Sequence, residues 1–187
     1  MEPVRLQTER LVLAAPKIAD IDAITAACQD PEIPRWTTVP SPYTRESARE
    51  FVEITAQRWA DESHATWSMY ADGEVVGSIG LHHIVDHESG AQAELGYWVA
   101  ASARGKGYVV EAAMAVIDWA FDERGLVRLD WRAKVGNEPS ARAARALGFR
   151  YEGMQRQFLT GPRGRDDGWV GGLLVSDDRS PVEWPIL

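Results

Sequence analysis

Apolar and polar positions change period several times along this chain, and each change marks an element. Arg10 to Ala15 is a short apolar run that reads as a strand, and Pro16 with Asp20 and Asp22 leads into a helix to about Asp30. Pro31, Pro34, Pro40 and Pro42 make the stretch to Thr44 a stiff loop, whose Trp36 and Tyr43 either line a pocket or plug the loop onto the core. Thr44 is placed to cap a second helix to about Asp61, with Phe51, Ile54 and Trp59 among its apolar positions.

Period two then takes over. Trp67 to Tyr70, the turn pair Asp72-Gly73, and Val75 to His83 read as a β-hairpin, and Ala93 to Val99 as a further strand. After the glycine-rich Arg104-Gly105-Lys106-Gly107, an amphipathic helix carries Val110, Ala113, Met114, Ile117 and Phe121 on one stripe and stops near Gly125. Leu126 to Lys134 reads as a strand and Ser140 to Leu147 as a short helix ended by Gly148. Phe149 to Phe158 and Trp169 to Val175 read as two more strands. The order predicts an α/β or α+β domain with a mixed sheet, one domain over residues 1–187, without repeats or linkers.

Composition narrows the function. The formal charge of −8, from 28 acidic and 20 basic side chains, opposes broad binding to nucleic acid or anionic membranes. One cysteine, Cys28, excludes an internal disulfide and a multi-cysteine metal cluster. No export signal or membrane-length apolar run is present, so a soluble cytoplasmic protein is expected. An anionic ligand then needs a local device, and Gly105 and Gly107 ahead of a helix supply one: close backbone approach and free amides at the positive end of the dipole. Arg104 and Lys106 add cations; a plain tight turn with solvated charges is the alternative. A Walker loop would need glycine at Ala100 and Ser or Thr at Gly107, and a dinucleotide fingerprint would need glycine at Val110. ATP and NAD are poor fits.

Arg104-Gly105-Lys106-Gly107-Tyr108-Val109 instead resembles the acyl-CoA loop of the GNAT (GCN5-related N-acetyltransferase) superfamily, except that Val109 replaces a small residue. With Glu94-Leu95-Gly96-Tyr97-Trp98-Val99 and Glu111-Ala112, the segment is similar to the RimJ and RimL branch of ribosomal-protein acetyltransferases. Asn137, Ser140 and Leu147-Gly148-Phe149 resemble a second family motif. Thr8 to Leu13, Pro42-Tyr43-Thr44 and Arg165-Asp166-Asp167 resemble the same branch, so the likeness spans nearly the whole chain.

The resemblance implies a mostly antiparallel sheet flanked by helices, with the acyl-CoA loop between a central strand and a long helix. It implies transfer of an acetyl or other acyl group from acyl-CoA to a primary amine, with no metal, and a homodimer. A catalytically silent acyl-CoA-binding module and a succinyl-type enzyme of the same fold are the alternatives. The implied cofactor contacts are Trp98, Val99, Arg104, Gly105, Lys106, Gly107, Tyr108, Val109, Asn137, Ser140 and Arg142, with Arg142 and Arg145 toward the 3′-phosphate. Trp36, Tyr43 and Glu94 would meet the amine.

For the chemistry, Glu94 is the candidate base, sharing a strand face with Gly96 and Trp98, or else it is a solvent-facing carboxylate. Glu111 ranks below it, because the helix dipole alone accounts for an acid on the first turn. The tyrosine that many relatives use as the acid falls at Ala144, which leaves Ser140 as its substitute or as a helix cap or cofactor contact. His82, His83 and His87 lack metal-ligand spacing, since neighbours on a strand point to opposite faces.

Overall fold

Asp72 and Gly73 take the positive φ values, 50° and 84°, that a two-residue hairpin turn demands, and they pin Ala71 opposite Glu74. The computed structural model describes residues 1–161 and 164–187. Its strands are β1 (Leu6–Gln7), β2 (Val12–Ala14), β3 (Ala65–Ala71), β4 (Glu74–Val85), β5 (Ala91–Val99), β6 (Leu126–Lys134), β7 (Arg150–Gly161) and β8 (Gly164–Leu174). Between β2 and β3 run α1 (Ile21–Ala27), α2 (Glu32–Trp36) and α3 (Arg45–Ala60). Helix α4 (Tyr108–Asp118) joins β5 to β6, and α5 (Glu138–Ala146) joins β6 to β7. Among the described residues the strands form one eight-stranded sheet, ordered β1-β2-β3-β4-β5-β6-β8-β7, antiparallel throughout except between β5 and β6.

Five consecutive positions are buried in β3 (Ala65 to Met69) and in β4 (Gly77 to Leu81), so the centre of the sheet is covered on both faces. Helices α1 and α3 pack on β4 and β3, while α4 contacts β4 and α5, and α5 contacts β6. The larger core gathers Leu95, Val116, Ile117, Leu129, Trp131 and Phe149, each at most 2% exposed. A smaller one, with Ile21, Ile24, Ile33, Tyr43 and Val52, lies under α1 to α3. Several tryptophans enter these cores without an orphaned indole: Trp59 donates to Thr66 O, Trp67 to Val4 O and Trp184 to Phe149 O.

The structure departs from the sequence pattern at identifiable points. The proline-rich stretch contains α2, because Pro31 sits at its N-cap and Pro34 within its first turn, where a missing N–H costs nothing. Ile54 and Met114 are 42% and 50% exposed, so neither belongs to its helix's buried stripe. Helix α4 gives way to a π-helical turn at Trp119–Glu123 before Gly125. Helix α5 is capped by Asn137, whose side chain accepts from Ser140 N; this excludes Ser140 as its N-cap. Thr44 caps α3 as expected, accepting from Ser47 N.

Candidate active site

The parallel pair β5 and β6 holds register only as far as Glu94 opposite Asp130. Beyond that point β5 continues to Val99 and β6 to Lys134 without pairing to each other, so the central sheet splits. Among the described residues Leu95 to Val99 has no strand neighbour on this side, although β4 still pairs with it on the other. Backbone amides and carbonyls in such a gap need partners, and an extended ligand can supply them. A cavity of about 1640 Å³ occupies the split.

At one end of the cavity stands the glycine loop. Gly105 and Gly107 have φ of +72° and +78°, a conformation costly for any residue with a Cβ, and Gly107 is the N-cap of α4. The first loop-to-helix bond runs from Glu111 N to Gly107 O. The amides of Tyr108, Val109 and Val110 therefore have no acceptor within the helix, and all three residues line the cavity. This cradle suits a pyrophosphate. Arg104, on the cavity wall, meets Asp30 at 2.5 Å as a charge contact and reaches Val99 O at 3.4 Å. Lys106 does not line the cavity; its ammonium lies 5.9 Å from the Tyr108 ring centroid. Arg142 lines the cavity but pairs with Glu138 at 2.7 Å.

Arg10 braces the loop from behind. Its guanidinium donates to Lys106 O at 2.9 Å and pairs with Glu111 at 2.5 Å, while its backbone N and the Thr8 hydroxyl also bond Glu111. Burial raises the Glu111 pKa, but these hydrogen bonds and the Arg10 charge outweigh it and leave the group below its ordinary value. Glu111 is thus structurally committed, which accounts for the Thr8-Glu9-Arg10 motif and removes Glu111 from the contest for base.

Glu94 lies at the fork of the split. Strand alternation puts its side chain on one face with Gly96 and Trp98, opposite Leu95 and Tyr97, and because the cavity lies between the strands, residues of both faces line it. Burial raises its pKa, and the Arg132 guanidinium at 3.2 Å partly opposes that shift. Arg132 also stands 3.9 Å from Asp130 and stacks 5.1 Å from the Phe158 ring centroid. Trp36 and Tyr43 line the same cavity, Trp36 fixed by its indole bond to Glu32 at 2.9 Å. Tyr43 is also 9% exposed in the smaller core, so the pocket and plug readings both describe it.

Ser140 completes the opposite wall. Its Oγ is 2.9 Å from the Tyr97 hydroxyl and receives the Trp131 indole N–H at 3.1 Å. Asn137 also lines the cavity, and Ala144 is buried in the main core at 1% exposure. The sequence reading left Tyr97, Trp131, Arg132 and Arg10 without roles. Tyr97 stood inside a quoted motif, but only the fold carries its hydroxyl to Ser140.

The histidine expectation needs correction. The β4–β5 register shifts between His82 and Val85, and His83 takes φ +53°, so the two neighbours do not face opposite ways. Both rings pack on His64, with centroids 5.3 and 5.1 Å away. Burial, reinforced by nearby Arg58 and neighbouring histidines, lowers His64 and His82 from 6.5 to about 4. Among the described residues no group of three or more His, Cys, Asp or Glu is arranged to hold a metal, and no helix is long and apolar enough to cross a membrane.

A split central sheet, free amides at a helix start and a carboxylate at the fork make a site for an extended anionic ligand beside a group able to take a proton. The Acetyltransferase (GNAT) domain family matches residues 10–150, and the chain belongs to that family of acyl-CoA-dependent acetyltransferases. It is 30% identical over 156 residues to the uncharacterized N-acetyltransferase p20 of Bacillus licheniformis, covering 82% of this chain and 86% of that protein. RimJ of Mycobacterium smegmatis, solved with CoA-disulfide, superposes with a TM-score of 0.86 at 20% identity over 92% of this chain and 88% of RimJ. RimL, the ribosomal L7/L12 α-N-protein acetyltransferase solved with coenzyme A, gives 0.83 at 19% identity, covering 94% of this chain and all of RimL. These two likenesses are likenesses of fold.

Proposed function

We propose that the chain acetylates the primary amine of an acceptor presented beside Glu94, a protein N-terminal α-amine being the favoured class, with the donor lying in the split between β5 and β6. The observation that carries this reading is the shared cavity: Glu94, the amide end of α4 and Ser140 all open onto it. In this assignment the amides of Tyr108 to Val110 hold the pyrophosphate, with Gly105 and Gly107 allowing close approach. Trp98, Val99 and Asn137 contact the pantetheine arm, and the free edge of β5 near Trp98 and Val99 polarises the thioester carbonyl. Trp36 and Tyr43 face the acceptor.

Glu94 takes the amine proton, directly or through water. Its raised pKa, caused by burial, makes it a better proton acceptor than an ordinary carboxylate. An α-amine, with a pKa of about 8, needs less help than lysine at about 10.4, a difference of roughly 3 kcal/mol at neutral pH. The neutral amine nitrogen bonds the acyl carbon, the proton that the nitrogen of the tetrahedral intermediate then sheds is the one that passes to Glu94, the carbon–sulfur bond breaks, and the thiolate leaves toward Ser140.

Calorimetric titration with acetyl-CoA, succinyl-CoA, CoA, ATP and NAD, followed by thiol release across a panel of N-terminal peptides and small amines, tests the reading. Micromolar acetyl-CoA binding with turnover on peptide α-amines is expected. Binding of ATP or NAD without CoA, or turnover confined to lysine side chains, would overturn the corresponding part.

A further inference from the structure

Ser140 is tied to both arms of the split sheet. Tyr97 belongs to the stretch of β5 that has parted from β6, Trp131 is the first residue of β6 beyond its last pairing with β5, and the Ser140 hydroxyl bonds both from α5. The distances are 2.9 Å to Tyr97 Oη and 3.1 Å to Trp131 Nε1, and Tyr97 Oη also lies 3.2 Å from the Ser140 carbonyl oxygen. All three residues line the cavity that holds Glu94.

Counting protons gives this triad two states. The indole N–H can only donate, so Ser140 Oγ always accepts from Trp131. The single Tyr97 proton has two acceptors in reach, the Ser140 carbonyl and Ser140 Oγ. When it goes to the carbonyl, the Ser140 proton can close onto Tyr97 Oη. When it goes to Oγ, Oγ accepts twice, and the Ser140 proton has no acceptor within the triad. It is then free for a group in the cavity. We infer that Tyr97 is a positioning residue: when its proton goes to Ser140 Oγ, it and Trp131 fill that oxygen's acceptor sites and leave the Ser140 hydroxyl to donate to the leaving sulfur. Burial raises the Tyr97 pKa, so the phenol keeps the proton this role requires. No proton need leave Ser140: the thiolate departs with the electron pair of the broken carbon–sulfur bond and accepts a hydrogen bond, while the amine proton resides on Glu94.

The inference rests on assigning Ser140 to the sulfur, and one set of variants separates the two ideas. Tyr97→Phe, Ser140→Ala and the double variant are compared for kcat, KM for acetyl-CoA, CoA affinity by calorimetry and melting temperature. A hydrogen bond to a charged group is worth about tenfold or more in rate. Each single variant is expected to lose at least that in kcat with KM and CoA affinity little changed, and the double variant to be no slower than Ser140→Ala. Full kcat in Ser140→Ala would overturn the assignment of Ser140 and this inference with it. A slow Ser140→Ala beside an unimpaired Tyr97→Phe, or multiplying losses in the double variant, would overturn the role of Tyr97 alone. A Tyr97→Phe protein that loses CoA binding along with kcat would mark a structural staple, which also overturns it.

Discussion

Glu94 and Arg10 illustrate how differently two charged side chains serve one site. Glu94 is a quarter exposed, raised in pKa by burial and steadied by Arg132, so the ionised form that the proposed base requires is lost as pH falls through a midpoint above the ordinary carboxylate value. Glu94→Gln is expected to lower kcat by about a hundredfold and to remove that acidic limb from the pH–rate profile, with CoA affinity unchanged by calorimetry. Arg10 is 47% exposed, and its ion pair with Glu111 contributes about 1 kcal/mol or less to stability. Its bond to Lys106 O nonetheless braces the glycine loop. Arg10→Ala should therefore weaken CoA binding by roughly fivefold while the denaturation midpoint moves little. An unchanged dissociation constant would mean that the loop holds its shape without this bond.

Helix α4 shows what an element needs beyond its apolar stripe. Ala112, Ala113, Val116 and Ile117 bury one side, but the start of the helix depends on Gly107 in the left-handed region. Gly107→Ala places a Cβ 3.5 Å from Arg10 Nη2 and forces a residue into a conformation that costs about 1 kcal/mol. The expected result is a melting temperature lower by a few degrees together with weaker CoA binding. Gly80 and Gly96, paired across β4 and β5, have a different reason for being small. A Cβ on Gly80 would meet Thr66 Oγ1 at 2.9 Å, and one on Gly96 would meet His82 Cδ2 at 2.8 Å. The two glycines thus leave room for the side chains of Thr66 and His82, both of which line the cavity.

At the scale of the whole molecule, the buried His64 and the half-buried His82 link stability to pH. His64 and His82 have folded pKa values near 4 against an ordinary 6.5, so the unfolded chain binds more protons between those limits. Their neutral forms are accommodated fully above about pH 6.5, and stability declines as pH falls from there toward 4, by up to about 1.4 kcal/mol per unit for each group. Urea unfolding at pH 7 and pH 5 should reveal the loss, and the variant His64→Gln/His82→Gln should flatten it. A slope unchanged in that variant would place the acid sensitivity elsewhere.

Much of this protein was legible in its sequence because local rules act over a few residues. Asp72-Gly73 specified its hairpin, Thr44 the start of α3, and Gly107 the start of α4, and Arg104 to Gly107 also carried the family resemblance. Helix α2 escaped notice because four prolines in fourteen positions read as a loop until their places in the first turn are known. Tertiary structure alone decided what lies beside Ser140. Tyr97, Trp131 and Ser140 come from two strands and a helix, and nothing local to any of them predicts that β5 and β6 part after Glu94 and Asp130. It likewise decided that Arg10 and Glu111, 101 residues apart, share one ion pair, and that a register shift turns His82 and His83 toward His64. A sequence determines each element through short-range sterics and hydrogen bonding, whereas the site arises from strand register and divergence, which only the packed sheet fixes.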